Sequence, residues 1–295
     1  MMRFGYDIGG TNIAAGIIDE QDRLIAKDSV KFPRGEGVGA VIAACAGLYR
    51  TLLAQASVAE SEIKGVGVAV PGSVSPQDGI VIDAHNLGFH HTPLAALLSE
   101  TLNKPVELMN DADAATLAEH RVGALSGTKT SMLITIGTGI GGGLIVNGEL
   151  FRGGRGNGTE PGHMVLRNGG RQCSCGVKGC AETYCSATRL CKDGAAFGKA
   201  TAKEVIEAAK EGNEQALTLF RAYIDDFGSY IASVVNLLDP ERIAIGGGVS
   251  GAGSFLLEPL RADVERKCFF ETCPEIVVAS AGNDAGIIGA GLVVS

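Results

Sequence analysis

The feature that most limits the folds open to this chain is a pattern it carries twice. DIGGTNIAAGIIDEQDRL, starting at Asp7, reads as a strand end, a Gly and Thr turn, a second strand and the approach to a third. ITIGTGIGGGLIVNGEL, starting at Ile134, reads as strand, Gly and Thr turn, strand, Asn-Gly turn, strand. Short apolar runs bounded by Gly, Asn and Asp are strand and hairpin signals. Self-similarity of this kind points to two related domains, each presenting a Gly-rich hairpin to a shared cleft. At 295 residues the chain is long enough for both.

Around the two copies, strand and helix signals alternate. A helical period runs from Gly39 to Ala56, and the strand GVGVAV stops at Pro71 and Gly72. A helix is expected over Pro93 to Leu102. The strand VELMN then leads into a helix beginning near Asp111, with Asn110 or Asp111 as its cap. Residues 163–186 read as an irregular insertion. Helical periodicity follows from Ser186 to about Leu238, then the strand of ERIAIGGG, a helix from about Ser254 to Cys268, the strand EIVVAS and an apolar helix from Asp284. The fold class is therefore α/β. Residues 1–110 with about 284–295 form a small α/β domain and 111–283 a larger one.

Composition narrows the ligand. A net charge of −8 disfavours nucleic acid and anionic membranes, which are held by clustered Lys and Arg. With 45% hydrophobic and 20% charged residues the chain reads as soluble, and its opening, MMRFGYDIGG, lacks a basic leader, which argues for the cytoplasm. Small molecules are the expected partners.

Four motifs could carry chemistry. In DIGGTN, amides freed by Gly9 and Gly10 can face phosphate oxygens. Thr11 adds a hydroxyl, Asn12 closes the turn, and Asp7 can hold hydrated Mg²⁺. A plain hairpin turn is the alternative, but Gly137, Thr138 and Gly139 echo the motif, and a triphosphate needs two such clamps. Gly137, Gly139 and Gly142 also fit GxGxxG, yet they open a strand and so offer no helix N-terminus to a pyrophosphate. Gly246, Gly248 and Gly251 do run from strand to helix, but too near the C-terminus for a dinucleotide fold, and are kept as a nucleotide contact.

Asn110 and Asp111 end a strand before a helix, where a carboxylate could take a hydroxyl proton; helix capping is the competing role. His163 with Cys173, Cys175 and Cys180 makes a Cys3His set suited to tetrahedral Zn²⁺, closed and therefore structural. Cys185 or Cys191 could replace His163 as the fourth ligand. Glu160 and Glu182 bracket this segment and could accept hydrogen bonds from sugar hydroxyls.

Taken in order, DIGGTN, VPG, NDADA, GTGIGGG, EPGH and CSCGVKGCAE resemble the ROK family of bacterial sugar kinases and repressors across almost the whole chain. The resemblance implies an actin-like, hexokinase-type (ribonuclease H-like) fold of duplicated domains that close on ATP and sugar, with a zinc-binding segment at 163–182. It also implies Asp111 as general base and Asn110 as a sugar ligand. Glu160, His163 and Glu182 would complete the sugar site, with His163 bound to zinc through one ring nitrogen and facing the sugar with the other. Asp7, Gly9, Gly10 and Thr11 would meet phosphate and Mg²⁺, Thr138 and Gly139 would form the second clamp, and Gly246, Gly247 and Gly248 would lie near the adenosine. Pro71 and Gly72 would belong to the sugar-side loop. Asn86 stands in NLGF, where relatives often carry Trp, and Asp113 where they usually carry Asn. The expected reaction is ATP-dependent phosphorylation of a free hexose, glucose at its 6-hydroxyl, with N-acetylmannosamine, fructose, allose and N-acetylglucosamine as other acceptors. A homodimer or larger is implied as well. The rival from another class is a non-catalytic, sugar-sensing regulator. A repressor would need a DNA-binding segment ahead of the first strand, which here starts at the third residue.

Overall fold

The computed structural model describes residues 1–154, 156 and 158–294. In chain order the elements are β1 (Met2–Ile8), β2 (Asn12–Ile18), β3 (Leu24–Lys31), α1 (Val38–Ala56), β4 (Ile63–Val70), β5 (Ser73–Ser75), β6 (Ile80–Ala84), β7 (Phe89–Thr92), α2 (Leu94–Leu102), β8 (Val106–Asn110) and α3 (Asp111–Val122). There follow β9 (Ser131–Ile136), β10 (Ile140–Val146), β11 (Glu149–Leu150), α4 (Glu182–Cys185), α5 (Ala187–Gly194), α6 (Ala202–Lys210), α7 (Glu214–Leu238), β12 (Arg242–Gly246), α8 (Ser254–Lys267), β13 (Glu275–Val278) and α9 (Ala285–Val293).

These elements form two compact units. Unit 1 holds residues 1–123, 152–158 and 281–295, and unit 2 holds 124–151 and 159–280. The first boundary falls at Gly123 rather than at residue 110. The reason is α3: Ala118 on it packs with Ala285 and Ile288 of α9, so the helix stays with the unit that α9 completes. Residues 152–158 also belong to unit 1.

Unit 1 is built on a five-stranded sheet in the order β3-β2-β1-β4-β8, with β1, β2 and β3 antiparallel and β1, β4 and β8 parallel. On one face lies α1, whose Val41, Cys45, Leu48, Tyr49 and Leu52 recur at helical spacing and are buried. By length and apolarity alone α1 could also cross a membrane, but that buried stripe packs in the unit's core with Phe4, Tyr6 and Ile8. On the other face lies α9, close enough that a Cβ on Gly67 of β4 would sit 1.7 Å from the Ala290 carbonyl oxygen, and one on Gly5 of β1 2.1 Å from that of Ile287. Only side-chain-free positions permit this approach. A small sheet, β5-β6-β7, adds Val74, Val81, Ala84 and Phe89 to the core. Its strands are too short to show a period in the sequence.

Unit 2 repeats the sheet in the order β11-β10-β9-β12-β13, with the same pattern of antiparallel and parallel neighbours. Its core is carried by α7, whose Phe220, Tyr223, Phe227, Tyr230 and Ile231 are buried with Ile134, Ile136 and Ile245. Asn213 caps α7 through the Ala216 N–H (3.0 Å), and Thr201 with Glu204 forms a capping box on α6.

Candidate functional site

Unit 1 places its polar residues where β1, β4 and β8 end. Asp7 pairs with Ala69 at the last parallel step of β1 and β4, and a Cβ on Gly286 of α9 would lie 2.4 Å from its Oδ2. The turn that follows is closed by the Gly9 N–H donating to the Asn12 carbonyl (2.9 Å) and fastened to the end of β3 by the Phe32 N–H on the Thr11 carbonyl (3.0 Å). The N–H groups of Gly10 and Thr11 have no backbone partner among the described residues. Such a pair of open donors is what an anion requires. Two side chains flank this turn. Arg34 donates from Nη2 to the Gly10 carbonyl (2.8 Å), and the Asn86 amide nitrogen lies 3.4 Å from a Cβ placed on Gly10. No motif marked Arg34. A basic residue in the Pro-Arg-Gly loop after β3 was its only signal.

Asp111 is the first residue of α3. Its Oδ1 accepts from the Ala112 N–H (2.9 Å), and it stands at the positive end of the helix dipole. The carboxylate reaches solvent, yet protein atoms crowd it, and this desolvation raises its pKa against the lowering effect of the Ala112 N–H. Desolvation likewise pushes Asp7 up to about 6, with the negative charge of Asp111 as the second cause.

Asn110 caps α3. Its Oδ1 accepts from Ala112 (2.8 Å) and Asp113 (3.4 Å), and its amide donates to the Gly72 carbonyl (3.0 Å). Gly72 itself has φ 87°, and a Cβ there would meet the Asp83 carbonyl oxygen at 2.2 Å. Asn110 thus ties the Pro71-Gly72 loop to the helix that carries Asp111. Asp113 is buried, with a Cβ on Gly158 falling 2.9 Å from its carboxylate.

Unit 2 ends β9 in the matching turn. The Gly137 N–H donates to the Gly139 carbonyl (3.0 Å), the Gly137 carbonyl accepts from Ala187 (3.0 Å), and the N–H groups of Thr138 and Gly139 have no backbone partner among the described residues. Gly246, Gly247 and Gly248 adjoin this turn: a Cβ on Gly247 would lie 2.2 Å from the Ile136 carbonyl oxygen. As the sequence indicated, Gly137 to Gly142 run into the strand β10, with no helix behind them.

Donor atoms of His163, Cys173, Cys175 and Cys180 all lie within 4.8 Å of one another. Cys175 and Cys180 sulfurs are 3.6 Å apart, and Cys173 Sγ is 3.7 Å from His163 Nδ1. Tetrahedral Zn²⁺ with bonds of about 2.0–2.3 Å sets ligand separations of about 3.5–3.8 Å. Those two separations match that spacing, and three thiols with an imidazole are the donor types the metal takes. Cys185 and Cys191 stand outside it: Cys185 is buried in the core of unit 2, and Cys191 donates to the Ala200 carbonyl (2.7 Å).

Glu182, first residue of α4, has Oε1 at 2.8 Å from Cys173 Sγ and 3.9 Å from His163 Nδ1, while its Oε2 lies 2.5 Å from a Cβ placed on Gly139. It therefore touches both the thiol cluster and the Thr138 turn. Glu160 is exposed just ahead of the short turn Pro161–His163, where its carbonyl accepts from the His163 N–H (3.1 Å). Tyr184 holds the cysteine loop against α4, with Arg167 and Arg171 stacked on its ring at 4.9 and 4.6 Å and its hydroxyl accepting from the Arg171 N–H (2.8 Å).

Comparison with known proteins gives one consistent result. The model of the ROK family matches residues 3–295. The glucokinase of Halalkalibacterium halodurans is 34% identical over 309 residues, covering 98% of this chain and 94% of its own length. An N-acetylmannosamine kinase of Haemophilus influenzae is 32% identical over 292 residues, covering 98% and 94%. The crystal structure of a ROK family glucokinase from Streptomyces griseus in complex with glucose and AMPPNP has a TM-score of 0.82 at 30% identity, covering 99% of each chain.

Proposed function

The chain belongs to the ROK family and is a sugar kinase, and we propose that it transfers the γ-phosphoryl group of ATP to the 6-hydroxyl of glucose. The observation that carries this reading is Asp111, a carboxylate with a raised pKa at the N-terminus of α3, one residue after the strand end that positions it. A carboxylate at this position can accept the hydroxyl proton as the bond to phosphorus forms, an effect worth about 10²–10⁴ in rate.

In this reading the sugar oxygen attacks in line, Asp111 takes its proton, and ADP leaves. The open amides of Gly10 and Thr11, and those of Thr138 and Gly139, hold phosphate oxygens, while Gly246 to Gly248 receive the adenosine. Mg²⁺ carried with the nucleotide supplies charge neutralisation, and Asp7 suits it: a desolvated carboxylate gains most from a hydrated divalent cation. Asn110 and the Pro71-Gly72 loop, with Asn86, serve the sugar side. Glu160 and Glu182 accept from sugar hydroxyls, and His163, which would be held by zinc through one ring nitrogen, would offer the other. Zn²⁺ in the Cys3His set would fix the 163–182 loop. The 32% identity to an N-acetylmannosamine kinase keeps that sugar as the second acceptor.

The test is ADP release by zinc-loaded protein with Mg-ATP over a panel of free hexoses and N-acetylhexosamines, with Asp111→Asn as control. Turnover of glucose with kcat reduced about 10²–10⁴-fold in the variant is expected. Turnover of a different sugar would replace the acceptor, and undiminished turnover by Asp111→Asn would remove the general base.

A further inference from the structure

The phosphate turn of unit 1 has a charge problem that its own residues do not solve. Residues 7–12 include no cationic side chain, and the carboxylates of Asp7 and Asp111 interact electrostatically. A triphosphate brought to this turn adds several negative charges. Divalent metal offsets two of them. The remaining charge has to be met by the protein.

Among the described residues, one cationic side chain is hydrogen-bonded to the turn. Arg34 donates from Nη2 to the Gly10 carbonyl at 2.8 Å, and its backbone is fixed by the same turn: Phe32 donates to Thr11 (3.0 Å), and the Arg34 N–H donates to the Phe32 carbonyl (2.8 Å). Pro33 between them restricts the backbone further. The guanidinium has five N–H donors, and the Gly10 contact leaves the others for an oxyanion. Arg34 is exposed, and a Cβ on Gly10 would lie 3.7 Å from its Nη2 and 3.4 Å from the Asn86 amide. The planar, permanently charged fork is thus fastened to the turn at the Gly10 carbonyl with donors left over, in the form that suits phosphate.

We propose that Arg34 is a further catalytic residue, whose guanidinium contacts the phosphoryl group in transfer and stabilises the charge spread over its oxygens. This rests on the phosphoryl-transfer reading above. Charge stabilisation of this kind acts on kcat rather than on sugar binding.

Lys31 provides an internal control. Its backbone pairs with Asn12 in the β2–β3 ladder, it is exposed, and among the described residues its side chain makes no hydrogen bond to the turn.

The experiment compares wild type, Arg34→Ala, Arg34→Lys, Lys31→Ala and Asp111→Asn for kcat, KM of sugar and of ATP, and Tm. It includes titration of Arg34→Ala with free guanidinium. Expected are a loss of about 10²–10³-fold in kcat for Arg34→Ala with the sugar KM within about threefold, an intermediate loss for Arg34→Lys, partial rescue by guanidinium, and less than about threefold change for Lys31→Ala. A kcat within threefold of wild type in Arg34→Ala, while Asp111→Asn is inactive, overturns the inference and leaves the kinase reading standing. So does an equal loss in Lys31→Ala, which would mark a diffuse field. A lowered Tm without guanidinium rescue also overturns it, since that is the signature of a turn brace. A wild-type protein silent on every sugar overturns both.

Discussion

Set strand against strand, the two units share a frame and differ in what they hang on it. Asp7 and Thr135 occupy the same register position, each one step before the last antiparallel pair and each in the last parallel pair, with Ala69 and Gly246. Where unit 1 has a carboxylate, unit 2 has a hydroxyl. By the same register Gly5 and Gly67 of unit 1 correspond to Leu133 and Ala244 of unit 2. The first pair lets α9 lie on the sheet at backbone distance. The second fills that layer with side chains, and among the described residues no long helix comes as near to β9 or β12. The metal-suited thiols are the converse case, present among the described residues in unit 2 alone. One sheet topology therefore serves two tasks, and the division can be tested substitution by substitution.

The largest contrast should come from the paired strand ends. Asp7→Asn is expected to lower kcat about a thousandfold, and Thr135→Val no more than a few fold, in steady-state assays at saturating Mg-ATP. Equal losses would mean that the two turns are functionally alike and would break the comparison. Next come the glycine positions. Gly67→Ala forces a Cβ against a backbone carbonyl that cannot step aside, and should destabilise unit 1 by about 3 kcal/mol, read by denaturant unfolding. Ala244→Gly in unit 2 should cost about 1 kcal/mol.

Chelating zinc-loaded protein is expected to raise the sugar KM about 10- to 100-fold while binding of a non-hydrolysable ATP analogue is retained. Loss of both in step would deny the division of labour. The smallest effect concerns pH. A carboxyl held at about 6 in the fold and at its ordinary 3.8 in the unfolded chain keeps its proton longer when folded. Its contribution therefore turns unfavourable as pH rises from about 4 to about 6. Asp7→Asn should make the nucleotide-free protein about 1–2 kcal/mol more stable at pH 7 and nearly equal to wild type at pH 4, measured by thermal unfolding in both buffers.

Much of this was legible in the sequence because it is encoded locally. Gly and Thr between apolar runs announced both hairpins, and Asn110 before an Ala-rich run announced the cap of α3. The cysteine spacing, with His163, named the four donors. What stayed hidden depends on neighbours distant in the chain. The strands β5 to β7 are three to five residues long and broken by Pro76, Asp78 and Gly79, so they carry no period. The attachment of α3 to unit 1 depends on α9, more than a hundred residues away, and the contact of Arg34 with Gly10 leaves no trace in any motif. Asn110 shows a different limit. Its type, place and capping role were readable, but not that its amide already holds the Gly72 loop.

The close seating of α9 on β1 and β4 has a consequence for how the protein is made. Unit 1 begins at the first residue yet is completed by residues 281–295. During synthesis the strands that carry Asp7 and Gly67 leave the ribosome early and stand without their covering helix while residues 111–280 are added, roughly ten to thirty seconds at about 5–20 residues per second. Unit 2, whose segments are all translated before residue 281, can close first. The half of the molecule that is born first would then finish last, and a ribosome stalled before residue 281 would hold a complete unit 2 and an uncovered unit 1.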